Sequence, residues 1–207
     1  MMKKILFQGD SITDCERSRE KEYKLGTGYA MLVEAALGFE CPDEYEFANR
    51  GISGNRIVDV YARIKKDIIN LAPDVLSILI GVNDVWHEVS YQNGVAAEKF
   101  EKIYRMLIEE IREALPEIKI LILEPFVLSG PATEEHIDVF TSEVALRAKA
   151  AKRIADDFGL TFVPLQAGFE ALSKKAPATY WLRDGVHPTA KGHEFIKQEW
   201  LRAFRTL

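Results

Sequence analysis

The chain has 207 residues, of which 47% are hydrophobic and 29% charged, and it carries a formal net charge of −5. That length suffices for one domain with a core needing no staples, and the composition indicates neither a disordered chain nor a membrane span. The negative charge offers no attraction to nucleic acid or anionic lipid, so small neutral substrates suit it better.

The first predicted element is a strand over about Lys3 to Gln8, a near-continuous apolar run of the kind buried on both faces of a parallel sheet. Met1-Met2-Lys3-Lys4 resembles a charged leader, but the apolar run after it is too short for a signal sequence, and a cytoplasmic protein is expected. The strand runs into Gly9-Asp10-Ser11-Ile12-Thr13-Asp14 and then a charged loop to Glu22. Cys15 and Cys41 are too few and too far apart for a disulfide framework or a Cys-x-x-Cys motif, and read as free thiols.

Tyr29, Leu32, Val33 and Ala36 recur at helical spacing up to Gly38, and Glu44 to Ala48 reads as a short second strand. After the loop Asn49-Arg50-Gly51-Ile52-Ser53-Gly54-Asn55, the residues Ile57, Val60, Tyr61, Ile64, Ile68 and Leu71 predict one helix, closed by Pro73. Val75 to Ile80 is the clearest buried strand, and it leads into a turn at Gly81-Val82-Asn83-Asp84. A third helix carries Phe100 to Leu115, and Ile118 to Leu123 forms a fourth strand. A long helix over about Ile137 to Phe158 is stopped by Gly159, and Leu160 to Pro164 supplies a short fifth strand. A short helix, a loop from Trp181 to Pro188 and a last helix from about Thr189 complete the chain.

Strands alternating with helices imply right-handed crossovers and a parallel sheet with helices on both faces. The expected architecture is a three-layer α/β/α, doubly wound, flavodoxin-like fold with five parallel strands in a single domain. In such a sheet the carboxyl ends of the strands share one edge, so the loops at Ser11, at Ser53-Gly54 and at Asn83 converge.

Taken alone, Gly9-Asp10-Ser11 reads as only a turn with helix-capping residues, because such turns are common. Asp184-Gly185-Val186-His187-Pro188 adds a second signal. An acid three residues before a histidine on a turn can accept the imidazole Nδ1–H and leave Nε2 free to take a proton from a serine. Pro188 keeps His187 out of the following helix. The plain alternative is a helix N-terminus with incidental Asp and His. His87, placed on a loop where it could line a pocket, His136 and His193 read as surface or packing residues. No histidine spacing suits a metal, and no metal is expected.

Together, Gly9-Asp10-Ser11-Ile12-Thr13, Ile52-Ser53-Gly54, Gly81-Val82-Asn83-Asp84 and Asp184-x-x-His187-Pro188 resemble the four motif blocks of the SGNH hydrolases, also called the GDSL esterase/lipase family, in the family's order and over nearly the whole chain. The resemblance implies Ser11 as nucleophile, His187 as general base and Asp184 as its orienting partner. It also implies an oxyanion hole from the backbone N–H groups of Ser11 and Gly54 and the side-chain amide of Asn83. Gly51 is the rival for the role of Gly54. Asp10 is expected to orient the nucleophile turn by hydrogen bonding, and Asp84 to be structural.

Asp14-Cys15, Leu25-Gly26-Thr27-Gly28-Tyr29, Asn49 to Asn55 and Asn83-Asp84-Val85-Trp86 are similar to the intracellular acetylxylan esterase branch, which removes acetyl groups from xylo-oligosaccharides. Arg183-Asp184-Gly185 departs from that branch's tryptophan-containing last block, although Trp181 is near. The expected activity is therefore hydrolysis of small acyl esters, acetylated sugars first, through an acyl-enzyme and without a cofactor. A homo-oligomer fits that branch. Trp86 and Trp181 are candidates for walling the acyl site or stacking on a sugar ring; each could equally be a core or interface residue. The competing readings are a lysophospholipase or thioesterase for longer acyl chains, a phosphate-binding flavodoxin-like protein and a noncatalytic carbohydrate-binding relative.

Overall fold

The structure, a computed structural model, describes residues 2–207. Five parallel strands form its centre: β1 (Lys3–Gly9), β2 (Tyr45–Asn49), β3 (Val75–Leu79), β4 (Lys119–Leu123) and β5 (Thr161–Val163), in the order β2-β1-β3-β4-β5. This is the expected doubly wound order, with its switch point between β1 and β3.

Alternation along β1 assigns its side chains to two cores. Ile5 and Phe7 face a layer built from α2 (Tyr29–Glu40), α8 (Gln166–Ser173) and α10 (Ala190–Phe204). Leu6 faces the layer of α3 (Ile57–Ala62), α4 (Ile64–Asp67), α6 (Ala97–Ala114) and α7 (Ile137–Phe158). Both cores hold fully buried aliphatic side chains from the central strand β3: Leu79 on one side, Leu76 and Ile78 on the other. Each such side chain contributes roughly 1.5–3 kcal/mol by leaving water. Trp200 is buried in the first layer and donates its indole N–H to Ser77 Oγ on β3 at 2.9 Å.

Three expectations are corrected. Ser11–Asp14, read as a turn, is a single helical turn, α1, and Asp10 caps it by accepting the Ile12 N–H at 3.0 Å. The helix expected from Ile57 to Pro73 is broken at Arg63 into α3 and α4 and followed by a 3-10 turn at Ile69–Leu71. Arg63 is needed elsewhere: its guanidinium donates to Gln8 Oε1, the Arg50 carbonyl and Asn55 Oδ1. The turn read at Gly81 to Asp84 opens a full helix, α5 (Val82–Tyr91), so Asn83, Trp86 and His87 are helical. Val82, Val85, Trp86 and Val89 recur at helical spacing, but Gly81 and the polar Asn83-Asp84 pair mask that period.

Another helical turn, α9 (Ala178–Trp181), occupies the start of the expected Trp181 to Pro188 loop. Leu182 and Pro188 then form an antiparallel bridge that closes the segment carrying Asp184 and His187. Among the described residues no helix is long and apolar enough to cross a membrane.

Candidate active site

The carboxyl ends of β1, β2 and β3 open into a cleft of about 680 Å³. Ser11, Ser53, Gly54, Asn83, Trp86 and His187 line it. Four chain segments distant in sequence thus meet at one sheet edge.

Ser11 stands at the start of α1, directly after the strand. Gly9 is required there, because a Cβ would lie 2.2 Å from the Leu79 carbonyl oxygen on the neighbouring strand. Ser11 Oγ lies 2.9 Å from His187 Nε2, and His187 Nδ1 lies 2.7 Å from Asp184 Oδ2. Asp184 Oδ1 accepts the backbone N–H groups of Val186 at 3.0 Å and His187 at 2.8 Å. The acid therefore folds the 184–187 turn onto itself and aims the ring in the same step.

Partial burial would raise the Asp184 carboxyl, but the bonds from the His187 ring and from the two backbone N–H groups outweigh it and hold it at about 2. An ionised Asp184 accepts Nδ1–H, which fixes the tautomer and leaves the Nε2 lone pair for the serine proton. This chain of bonds can raise the nucleophilicity of a hydroxyl.

The groups expected to donate to an oxyanion lie in the same cleft. The loop after β2 turns at Gly54, whose φ of +81° is a left-handed conformation that glycine adopts without strain. A Cβ there would meet only His87 Nε2, at 3.9 Å, so the position is open to the cleft. Gly51 instead packs on α1, where a Cβ would lie 2.4 Å from the Asp14 backbone nitrogen. Of the two glycines, only Gly54 lines the cleft. Among the described residues, neither the Ser11 N–H nor the Gly54 N–H meets a protein acceptor. Asn83 is nearly buried in the first turn of α5 and donates one amide hydrogen to the Asn55 carbonyl at 3.2 Å.

Behind these groups lie two buried carboxyls. Burial lifts Asp10 to about 7, against the lowering effect of the Ile12 N–H bond. Burial likewise lifts Asp84 to about 8; it accepts the Ile57 N–H at 3.1 and 3.2 Å and so ties α5 to the start of α3. Neither carboxyl belongs to the cleft lining.

The two tryptophans part company. Trp86 lines the cleft, with its ring 5.8 Å from that of His187 and edge-on to Phe140 at 6.0 Å. Trp181 does not line the cleft. It ends α9 and turns toward a separate shallow pocket beside Leu172, Lys191 and Phe195, so closeness in sequence to Asp184 did not bring its ring to the site.

His193, expected as a surface or packing residue, forms part of the cleft wall. Its Nδ1 accepts the Tyr29 N–H at 3.1 Å and its Nε2 lies 3.4 Å from Cys15 Sγ. Burial, helped by the charge of Arg183, pushes it down to about 4, so it is neutral. His87 also lines the cleft, from α5, with Tyr91 edge-on to it at 5.6 Å. The sequence reading missed Asp14, whose carboxylate accepts from both Ser53 N and Ser53 Oγ. Its position three residues after Ser11 was the available signal.

Comparison with known proteins yields a consistent set. Residues 7–195 match the model of the GDSL-like lipase/acylhydrolase family. An acetylxylan esterase of Geobacillus stearothermophilus is 34% identical over 209 residues, covering 96% of this chain and 92% of its own. The crystal structure of an acetylxylan esterase from the same organism superposes with a TM-score of 0.87 at 32% identity, covering 97% of this chain and 93% of that one. Structures of two variants of that esterase, a serine and an aspartate each replaced by alanine, are described as those of catalytic mutants. A GDSL-like lipase candidate from Parabacteroides merdae is closer in shape, with a TM-score of 0.92 at 38% identity over 98% of this chain and 97% of its own.

Proposed function

From the premise that this chain belongs to the GDSL-like lipase/acylhydrolase family and is a carboxylic ester hydrolase, we propose that it removes small acyl groups, acetyl first, from sugar esters such as acetylated xylo-oligosaccharides through an acyl-enzyme on Ser11. The observation that carries the mechanism is the continuous chain from Ser11 Oγ to His187 Nε2 at 2.9 Å and from His187 Nδ1 to Asp184 Oδ2 at 2.7 Å.

Ser11 Oγ attacks the ester carbonyl carbon while its proton passes to His187 Nε2. Asp184 stabilises the imidazolium without taking the proton itself. The carbonyl oxygen becomes an oxyanion held by the N–H groups of Ser11 and Gly54 and by the second amide hydrogen of Asn83. A donor of this kind is typically worth about 3 kcal/mol of transition-state stabilisation. The carbon–oxygen bond to the alcohol then breaks, and His187 returns the proton to the departing oxygen. Water, deprotonated by His187, attacks the acyl-serine through the same oxyanion geometry; as the bond from the acyl carbon to Ser11 Oγ breaks, His187 returns the proton to Oγ, and the carboxylic acid leaves with Ser11 restored.

The substrate rests on different support. The 34% identical relative is an acetylxylan esterase, and two solved structures from the same organism, 32% and 31% identical to this chain, are described as those of an acetyl-xylooligosaccharide esterase. Trp86 beside His187 gives the acyl side an aromatic wall, and the net charge of −5 suits a neutral carbohydrate.

A fluorophosphonate probe tests the nucleophile: the native protein should be labelled, and folded Ser11→Ala should not. A folded native protein that stays unlabelled and inactive on simple acetyl esters overturns the reading. Acetyl, butyryl and octanoyl esters set beside acetylated xylo-oligosaccharides test the substrate. A clear octanoyl preference would replace the acetylesterase with a long-chain acyl hydrolase.

A further inference from the structure

Serine esterase chemistry needs the nucleophile and the oxyanion donors held in one fixed relation, yet here they come from different strands. Ser11 follows β1 and Gly54 follows β2, 43 positions later in the chain. Pairing of β1 with β2 ends with Phe7 opposite Asn49, so the sheet itself does not bind the two loops beyond that point.

Among the side chains that span the gap, Asp14 reaches Ser53. Asp14 closes α1, and its carboxylate is 6% exposed. Oδ2 accepts the Ser53 backbone N–H at 3.0 Å and the Ser53 hydroxyl at 3.1 Å. Arg19 grips the same carboxylate in a two-pronged arrangement, Nη1 to Oδ1 at 3.0 Å and Nη2 to Oδ2 at 2.6 Å. Ser53 immediately precedes Gly54, so the Gly54 N–H belongs to the peptide that Ser53 begins. Anchoring the Ser53 N–H and hydroxyl holds the Ser53 Cα from which that peptide starts, and so limits how far the Gly54 N–H can move.

Neighbouring contacts hold the rest of the loop but do not reach Ser53. Asn49 Nδ2 donates to the Thr13 carbonyl at 2.6 Å, the Ile52 N–H donates to the Gly9 carbonyl at 3.0 Å, and Arg17 Nε donates to the Gly51 carbonyl at 2.7 Å. On the far side of Gly54, Asn55 is held by Asn83 and Arg63; on the near side the contact is Asp14, which rides on the same helical turn as the nucleophile.

We propose that Asp14 is a positioning residue for ester hydrolysis: through Ser53 it locks the Gly54 N–H to the nucleophile turn, and Arg19 serves as its counter-ion. The inference rests on the serine esterase reading above. Burial alone would lift the Asp14 carboxyl, but Arg19 and the Ser53 donors outweigh it and hold it below the usual range, which keeps the acceptor ionised. A carboxylate accepting from a neutral N–H, a hydroxyl and a guanidinium forms stronger bonds than an amide can.

Asp14→Asn keeps the shape but loses the charge and the paired grip of Arg19. The oxyanion donor then drifts without any loss of the triad. Because a small misplacement of a catalytic group costs up to about a hundredfold, kcat on an acetyl ester should fall by about tenfold or more, with KM nearly unchanged. Affinity for a small alkylboronic acid, which forms a tetrahedral adduct on the serine, should fall by a similar factor. Ser53→Ala, which removes one of the two Ser53 bonds, should show a smaller loss of the same kind. Arg19→Lys should retain more activity than Arg19→Gln.

Thermal melting of each variant checks that it is folded. If Asp14→Asn does not fold, Ser53→Ala and the Arg19 pair decide. Folded variants with native kcat and native boronate affinity, or with a lower melting temperature alone, overturn the positioning role. Absence of fluorophosphonate labelling and of esterase activity in the native protein would instead overturn the reading on which it rests.

Discussion

The side-chain amide of Asn83 donates to the Asn55 carbonyl at 3.2 Å, which anchors one hydrogen and leaves the other for the cleft. That anchor joins α5 to the loop carrying Gly54, so the two groups proposed as oxyanion donors share one support. Removing the amide with Asn83→Ala should lower kcat by about a hundredfold or more with little change in KM, as for loss of a donor that acts mainly in the transition state. The Asn55 carbonyl left without its donor should cost about 1 kcal/mol of stability. Steady-state kinetics and a melting curve separate the two effects.

Asp184 uses one oxygen to shape its own turn and the other to hold the His187 ring. Asp184→Asn can keep the first role, because its amide oxygen still accepts from Val186 and His187. Its NH₂ group, however, would face Nδ1 and favour the tautomer that carries the proton on Nε2. The variant should fold, melt near the native temperature and lose roughly four orders of magnitude in kcat, the scale of the same change in a serine protease triad. Hydrolysis of p-nitrophenyl acetate is a sufficient assay.

Gly51 and Gly54 make opposite predictions. A methyl group at 51 collides with the Asp14 backbone nitrogen at 2.4 Å, whereas at 54 it enters open space but strains a φ of +81°. Gly51→Ala should destabilise the fold by more than about 1 kcal/mol and affect activity through that route. Gly54→Ala should fold and bind substrate but lose kcat, because the donor must tilt to relieve the strain. Denaturant melts alongside kcat for both variants test the contrast.

The distribution of these roles explains what the sequence revealed. The sheet was legible because its strands are apolar runs closed by glycine and proline, a signal local to each element. Asp184 and His187 were legible because they interact over three positions on one turn. The Asp14–Ser53 contact was not legible, since it joins residues 39 positions apart and depends on the packing of α1 against the loop after β2. Helix α5 was hidden because Gly81 at its cap and the polar Asn83-Asp84 in its first turn carry turn chemistry. Proximity in sequence also misled: Trp181 lies three residues from Asp184, yet α9 directs it to a different pocket.

That separation of the tryptophans gives a test of acyl selectivity. Trp86 sits against His187 in the cleft, while Trp181 packs beside Tyr180 at 4.9 Å outside it. Trp86→Ala should enlarge the acyl side and raise the butyryl-to-acetyl ratio of kcat/KM. Trp181→Ala should leave that ratio unchanged. A shift caused by Trp181→Ala, or none caused by Trp86→Ala, would assign the acyl wall elsewhere.

Asp10, one residue before Ser11, should leave its mark on stability against pH. Burial lifts its carboxyl from 3.8 to about 7, and Oδ2 has no hydrogen-bond partner. Between those values the folded protein holds a proton that the unfolded chain has released, so this group's contribution to stability declines as pH rises from about 4 to about 7 and is flat above. Asp10→Asn retains an acceptor for the Ile12 N–H and cannot ionise. The melting temperature of the variant minus that of the native protein should therefore climb across that window and then level off. His193, held neutral with its value lowered from 6.5 to about 4, works in the opposite direction, its contribution being lost as pH falls through that range. It is present in both proteins, so the difference curve isolates Asp10. A difference that stays constant from pH 4 to 9 would mean that Asp10 ionises as an ordinary carboxylate despite its burial.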